Sequence, residues 1–289
     1  MTDQRRTEKG LWWDRAYYLV HGCQARSPEC LNCWSAQMAV QRQANPNEAV
    51  AARHEGITTG THFNGRIHLD RDALVKPLKV RRPQTWAVWD DLFYGDERDR
   101  RGCEFQRTPF EPVPFEFIDH AFANMIAANW HTFYILTKRP ERMRDVVCQW
   151  EHVTRLSMSR YGHICLGTTA GTQKSADENI PLLLETPAAV RFVSMEPLLE
   201  PVDLTQFYTV WDKPGAHVRT WTQGIDQIII GAETGPRRRP CNVEWVRDLV
   251  QQCDAAGVRV FVKALDLDGR VSKNMAEWPA DLRRREYPR

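Results

Sequence analysis

Residues 114–139 read PFEFIDHAFANMIAANWHTFYILTKR. The first half places Phe117, Ala121, Phe122 and Met125 on one stripe at helical spacing, which predicts an amphipathic helix over 114–129. The second half, 132–136 (TFYIL), is apolar on both faces and rich in β-branched and aromatic residues, the pattern of a strand buried on both sides. Lys138 and Arg139 follow where that strand ends. A helix, a doubly buried strand and then polar residues at its C-terminal end make the repeating unit of a parallel α/β sheet.

Working outward, the same unit recurs. Candidate strands are 15–20 (RAYYLV), 66–69 (RIHL), 85–89 (TWAVW), 132–136, 163–167 (HICLG), 190–194 (VRFVS), 227–231 (QIIIG) and 259–263 (RVFVK). Helical patterns fall at 33–43, 114–129, 140–150, 174–185 and 243–256, the last ended by Gly257. Eight such strands predict an α/β fold of the (β/α)8 TIM-like barrel type. A doubly wound open sheet gives a similar alternation, and the count of eight favours the barrel. Stretches at 45–65, 94–112 and 207–224 make it partial or irregular and read as loop insertions, the first with a helix around 48–53. The expected organisation is one barrel domain over 1–265, with a three-cysteine loop at 22–34, and a C-terminal extension over 266–289 that wraps it.

At 289 residues, 42% hydrophobic and 26% charged, the chain is not disordered, collagenous or coiled coil as a whole. Lys+Arg 39 against Asp+Glu 37 gives a net charge of +2, too balanced to imply a nucleic-acid partner. No apolar run approaches the ~20 residues needed to span a bilayer, so no membrane partner is expected. Residues 1–20 lack the apolar core and small-residue cleavage site of a signal peptide. The expected location is the cytoplasm. There, eight cysteines are not expected to form four disulfides.

Three of those cysteines form the sharpest feature of the chain: His21-Gly22-Cys23, six residues, then Cys30-Leu31-Asn32-Cys33-Trp34. The segment follows the first strand and precedes the first helix, so in a barrel it lies at the catalytic mouth. Clustered soft thiolates select an iron–sulfur cluster or zinc. Structural zinc wants four protein ligands, with His21 or a distant Cys241 to complete the set. A [4Fe–4S] cluster on three cysteines leaves one iron open to a substrate or cofactor. The spacing leaves both metals open, with Cys23, Cys30 and Cys33 as ligands in either case. Polar residues also gather at strand ends: Asp90 and Asp91, Lys138 and Arg139, Thr168 and Thr169, Glu196, Glu233 and Lys263. Lys138 and Arg139 suit a carboxylate or phosphate, and Glu233 a ribose or an ammonium. The alternative for each is a salt bridge between neighbouring strand ends, for instance Lys138 with Glu196.

These motifs resemble the phage-type three-Cys-motif proteins, a radical-SAM-like group of mostly unknown function. The resemblance is carried by Gly22-Cys23, Ser27-Pro28-Glu29-Cys30-Leu31-Asn32-Cys33-Trp34-Ser35, Asp91-Leu92-Phe93, LTKRPERM at 136–143, RFVSMEPLL at 191–199 and GAETGP at 231–236. Glu29 stands where the family has Gly, Trp34 where it has Tyr, and Ala232 where it has Gly. The spacing of the three cysteines also differs from the common radical-SAM CxxxCxxC. The resemblance implies a [4Fe–4S] cluster on Cys23, Cys30 and Cys33 that binds S-adenosylmethionine and yields a 5′-deoxyadenosyl radical at the barrel mouth. It suggests a nucleic-acid base or nucleotide as substrate, for modification or repair, and a partner protein encoded nearby. Candidate catalytic residues are then Asp91, Lys138, Glu196 and Lys263; candidate cofactor-binding residues are Glu233, Thr169, Arg139 and Trp34. Two other classes compete. One is a zinc-stabilised nucleic-acid-binding module using the basic runs 237–239 and 283–285; the other is a metal-dependent barrel hydrolase or nuclease using Asp91, Glu196 and Glu233.

Overall fold

A computed structural model of the chain describes residues 10–212 and 215–288. The first nine and the last of the residues assigned to the two expected units, with 213 and 214 of the third insertion, lie outside the described residues. One sheet of eight strands runs through the molecule in sequence order: β1 (Arg15–Tyr18), β2 (Thr85–Trp89), β3 (Thr132–Thr137), β4 (Ile164–Thr169), β5 (Val190–Met195), β6 (Gln227–Gly231), β7 (Arg259–Leu267) and β8 (Arg270–Ser272). The first seven are parallel, each to its neighbour; β8 folds back antiparallel on β7. The helices are α1 (Trp34–Gln43), α2 (Glu48–Ala52), α3 (Glu97–Gln106), α4 (Phe115–Ala127), α5 (Pro140–Thr154), α6 (Gln173–Glu185) and α7 (Val243–Ala256).

Among the described residues no ladder joins β1 to β7 or β8, so a closed eight-stranded barrel is not formed. The unbroken strand order also differs from a doubly wound sheet, whose order reverses at a switch point. The discrepancy with the sequence reading lies in one segment. The strand expected at 66–69 is reduced to His68–Leu69 and pairs antiparallel with Val20–His21, away from the main sheet. It is pinched between Gly65, at φ +94°, and Asp70, whose side chain caps the following turn at Ala73 N. The count returns to eight only through β8.

The alternation of side chains across the strands sorts the core into two layers. Outward, Val88, Ile135, Leu166, Val193, Ile228, Ile230, Val260 and Val262 pack with Phe117, Phe122, Met143, Val147, Ile180, Leu183, Val246 and Leu249 from the covering helices. Inward, Ala87, Tyr134, Cys165, Phe192, Ile229 and Phe261 surround Trp12. Trp12 stands 5.1 Å from the Tyr134 ring and 6.1 Å from Phe192. The seam left by the open sheet is covered by the two ends of the chain. Val262 N donates to Arg284 O and Glu286 N to Val260 O, both at 2.9 Å, so residues 284–286 lie along the free edge of β7. Tyr287 Oη reaches Leu11 O at 3.4 Å. The expected domain boundary at 265/266 falls inside β7, and Arg270–Ser272 and the bridge at Arg285 tie the tail to the sheet.

The insertions carry structure of their own. Stretch 45–65 holds α2, where a helix was expected, and a two-residue ladder, Thr58–Thr59 with His62–Phe63. Stretch 207–224 holds a hairpin, Phe207–Asp212 with Gly215–Thr220. Stretch 94–112 read as a loop but contains α3. That helix buries only Asp99 and Cys103, so it shows no apolar stripe; it starts on a capping box of Asp96 and Asp99. No helix among the described residues is long and apolar enough to cross a membrane.

Candidate functional site

The C-terminal ends of the parallel strands open into one cavity of about 1220 Å³ including its mouth. Its lining brings together Cys23, Cys30, Cys33 and Trp34 from the three-Cys loop, Asp90 and Asp91 after β2, Lys138 and Arg139 after β3, Thr169 in β4, Glu196 after β5, Glu233 after β6 and Lys263 in β7, whereas Thr168 donates to Thr137 O and, with His21 and Cys241, stays outside the lining. Trp12 and Trp89 add aromatic wall.

The loop is fastened at both ends by Asp90, which accepts from Gly22 N at 3.1 Å and from Ser35 Oγ at 2.5 Å. Asp90 itself sits at φ 60°. Burial raises its carboxyl to about 6, against the bonds from Ser35 and Gly22. At Gly22, φ +101°, a Cβ would lie 2.3 Å from Arg66 O, so no other residue fits that turn. The middle of the loop is clasped by the segment after β6. Asn32 Nδ2 donates to Glu233 Oε2 at 3.0 Å and to Arg237 O at 2.8 Å; Arg239 forks onto Glu233 and its Nη1 donates to Pro28 O.

Charge around the thiols is uneven. Burial pushes the Cys23 and Cys33 thiols up. Burial acts the same way on Cys30, but the Lys138 ammonium, the Arg26 and Ser27 backbone N–H groups and the Ser27 hydroxyl outweigh it and bring that thiol below its ordinary value. Lys138 is in turn held charged, against burial, by Cys30, Cys33, Glu29 and Cys23. Among the described residues its Nζ makes no ion pair. Lys138 therefore does not bridge to Glu196; Glu196 pairs with Lys263 instead.

The structure separates the remaining site residues by what they already hold. Asp91 accepts four bonds, from Phe93 N, Thr137 Oγ1, Lys138 N and Arg139 Nη1. All five donors of Arg139 are engaged: Nε and Nη2 on Asp99, Nη1 on Asp91 and Cys23 Sγ, Nη2 also on Gln24 O. Both residues are thus fixed by protein groups, and so is Glu233, which takes four bonds from Asn32 and Arg239. By contrast, the Thr169 hydroxyl and Glu29 Oε2 are buried with no partner. Glu29 Oε1 accepts from Gly171 N and Ser175 Oγ, which fixes the loop to the start of α6. Trp34, 38% exposed, meets Trp89 edge-on at 4.7 Å at the mouth.

Sequence reasoning passed over Asp99, Asn32 and Arg239 as site residues. Asp99 lies in α3, whose polar sequence reads as loop. Asn32 was visible inside the Cys-x-x-Cys turn, and Arg239 only as part of a basic run. Gly167 and Gly171 do not make room for a ligand: a Cβ at Gly167 would strike the Phe192 ring at 2.4 Å, and one at Gly171 the Pro197 carbonyl at 2.1 Å.

Among the described residues no three His, Cys, Asp or Glu side chains stand as a ready-made site for one metal ion. Three free thiols on one cavity, faced by an ammonium without an ion pair among the described residues, form a soft donor set of the kind that suits an iron–sulfur cluster or zinc.

Fold and cavity together define an α/β protein with a thiol-lined cavity at the ends of parallel strands. The family model described as protein of unknown function (DUF5131) matches residues 8–277, and the chain belongs to that family. No curated protein and no solved structure matches it.

Proposed function

We propose that this chain is an iron–sulfur enzyme of the radical S-adenosylmethionine type, radical-SAM-like and phage-type as its motifs suggest. The observation that carries the reading is the convergence of Cys23, Cys30 and Cys33, from one loop, on a single cavity at the parallel strand ends, with Lys138 unpaired before them. Those three cysteines would hold a [4Fe–4S] cluster, which with S-adenosylmethionine supplies one-electron chemistry leading to a 5′-deoxyadenosyl radical. The chain's own residues supply the rest. Asp90, Glu29, Asn32 and Glu233 fix the loop; Lys138 balances thiolate charge; Thr169 offers a free hydroxyl. Trp12 and Trp89 wall the cavity, and the part-exposed ring of Trp34 offers a face on which a nucleic-acid base or nucleotide can stack. Glu196 and Lys263, paired across the mouth, are placed to exchange a proton with a substrate. The expected setting is the cytoplasm, where thiols stay reduced.

The competing classes have less support. Most arginines of the two basic runs are bonded within the protein: Arg238 to Asp266, Arg239 to Glu233, Arg284 to Asp254 and Arg285 to Lys273 O. Of the hydrolase carboxylates, Asp91 and Glu233 are saturated by protein donors.

Anaerobic purification with iron, sulfide and zinc analysis tests the reading. About four iron and four sulfide per chain are expected, lost in Cys30→Ala, with 5′-deoxyadenosine formed on adding S-adenosylmethionine and dithionite. Stoichiometric zinc without iron, even after anaerobic reconstitution, would overturn it.

A further inference from the structure

We infer that Arg139 is the hydrogen-bond donor that raises the electron affinity of the group held by Cys23, Cys30 and Cys33. The inference rests on the iron–sulfur reading above but fails separately from it. Arg139 Nη1 reaches Cys23 Sγ at 3.4 Å. The same guanidinium is clamped by Asp99 through Nε and Nη2, both at 2.5 Å, by Asp91 at 2.9 Å and by Gln24 O at 3.1 Å. The Tyr94 ring lies 5.0 Å from its Cζ. At 1% exposure the side chain has neither water to turn to nor space to swing. Its one donor not bound to oxygen is therefore aimed permanently at a thiol.

An N–H donor on a cluster thiolate stabilises the reduced, more electron-rich state, and hydrogen bonds to the sulfurs are among the determinants of cluster potential. In a dry surrounding that interaction is weakly screened. Such help reaches the three thiols unequally: Cys30 has the Ser27 hydroxyl at 3.8 Å, while the guanidinium touches Cys23 alone. Lysine cannot replace this arrangement, because a single ammonium does not hold two carboxylates, a carbonyl and a sulfur in one plane. Arg139 is thus a positioning residue that acts through Cys23. The reaction probed is a one-electron reduction: dithionite gives up the electron, the cluster gains it, and no bond at Cys23 breaks.

The experiment is an EPR-monitored potentiometric titration of the anaerobically reconstituted full chain, as wild type, Arg139→Lys and Asp99→Glu, each with its iron content and circular dichroism recorded. Arg139→Lys is expected to keep its iron and to be harder to reduce by about tenfold in the equilibrium constant, roughly 59 mV for one electron. Asp99→Glu, which keeps the charge but displaces the clamp on the arginine, is expected to fall between. An unshifted potential in iron-loaded Arg139→Lys overturns the role of Arg139 and leaves the iron–sulfur reading standing. If Arg139→Lys does not fold, an unshifted Asp99→Glu overturns the role in the same way. Zinc without iron in the wild type overturns both.

Discussion

Replacing Asp90 should unfasten the three-Cys loop at both ends at once. Its carboxylate takes the Gly22 amide at 3.1 Å and the Ser35 hydroxyl at 2.5 Å, from either side of the three cysteines. A hydrogen bond to a charged group contributes about 1.5–3 kcal/mol, so losing two costs about 3–6 kcal/mol. Relief of the buried carboxylate, whose burial is visible in its raised pKa, offsets part of this. The backbone adds a second term. Position 90 sits at φ 60°, where an alanine costs about 1–2 kcal/mol and a glycine almost nothing. The expected destabilisation is about 3 kcal/mol for Asp90→Ala, with Asp90→Gly about 1 kcal/mol milder. Urea unfolding of the metal-free protein at pH 7.5 measures both, as a shift in midpoint at constant slope. Chelator-driven iron release from the reconstituted protein should accelerate in the same order. An Asp90→Ala protein within about 0.5 kcal/mol of wild type, or one no worse than Asp90→Gly, would refute the idea that this carboxylate holds the loop.

The same residue gives a pH signature. Its folded-state pKa is raised from 3.8 to about 6, so the proton-linked part of its contribution is fully present below about pH 4 and is lost as pH rises through 6, while the bonds to Gly22 and Ser35 remain. The stability of wild type relative to Asp90→Asn should accordingly decline between pH 4 and 6; a gap that stays flat over that window contradicts the assignment. Lys138→Gln removes the cation that lowers the Cys30 thiol, so iodoacetamide should label Cys30 more slowly at pH 7 in the metal-free variant, as read by mass spectrometry. An equal rate would mean that backbone donors alone activate it. Gly167→Ala drives a methyl to within 2.4 Å of the Phe192 ring and should cost about 1–3 kcal/mol in thermal or urea unfolding; a neutral result would show that the inner layer yields more readily than its packing implies.

How far the sequence could be read depended on whether a residue's role lay in a local pattern. The mostly apolar strands at 85–89, 132–136, 190–194 and 227–231 declare themselves, because burial on two faces leaves few polar positions in so short a run. The three cysteines and the polar residues at strand ends follow from the strands, and all of these but Thr168 line one cavity. Segment 66–69 shows the limit: four suitable residues do not make a sheet strand when Gly65 and Asp70 turn the chain on both sides. Closure of the sheet was equally out of reach, since it depends on whether β1 meets β7, a contact between the chain's ends with no local signature. Helix α3 stayed hidden because its buried side was made of Asp99 and Cys103 rather than leucines. Arg139 follows β3 and lines the cavity, but only the structure shows that Asp99, forty residues earlier, occupies two of its five donors.

The seam in the sheet also has a consequence for the chain as it is made. Trp12, the centre of the inner layer, leaves the ribosome before its partners, which arrive one strand at a time: Trp89, then Tyr134, then Phe192. The edge of β7 is covered only when Arg284 and Glu286 emerge, and the bond from Tyr287 to Leu11 spans 276 positions. The three cysteines are therefore synthesised well before Lys263, the last residue in sequence to line their cavity. A nascent chain exposes its thiols beside an unfinished wall, and a ribosome stalled before residue 263 would present the loop without the enclosure that the strand ends build around it.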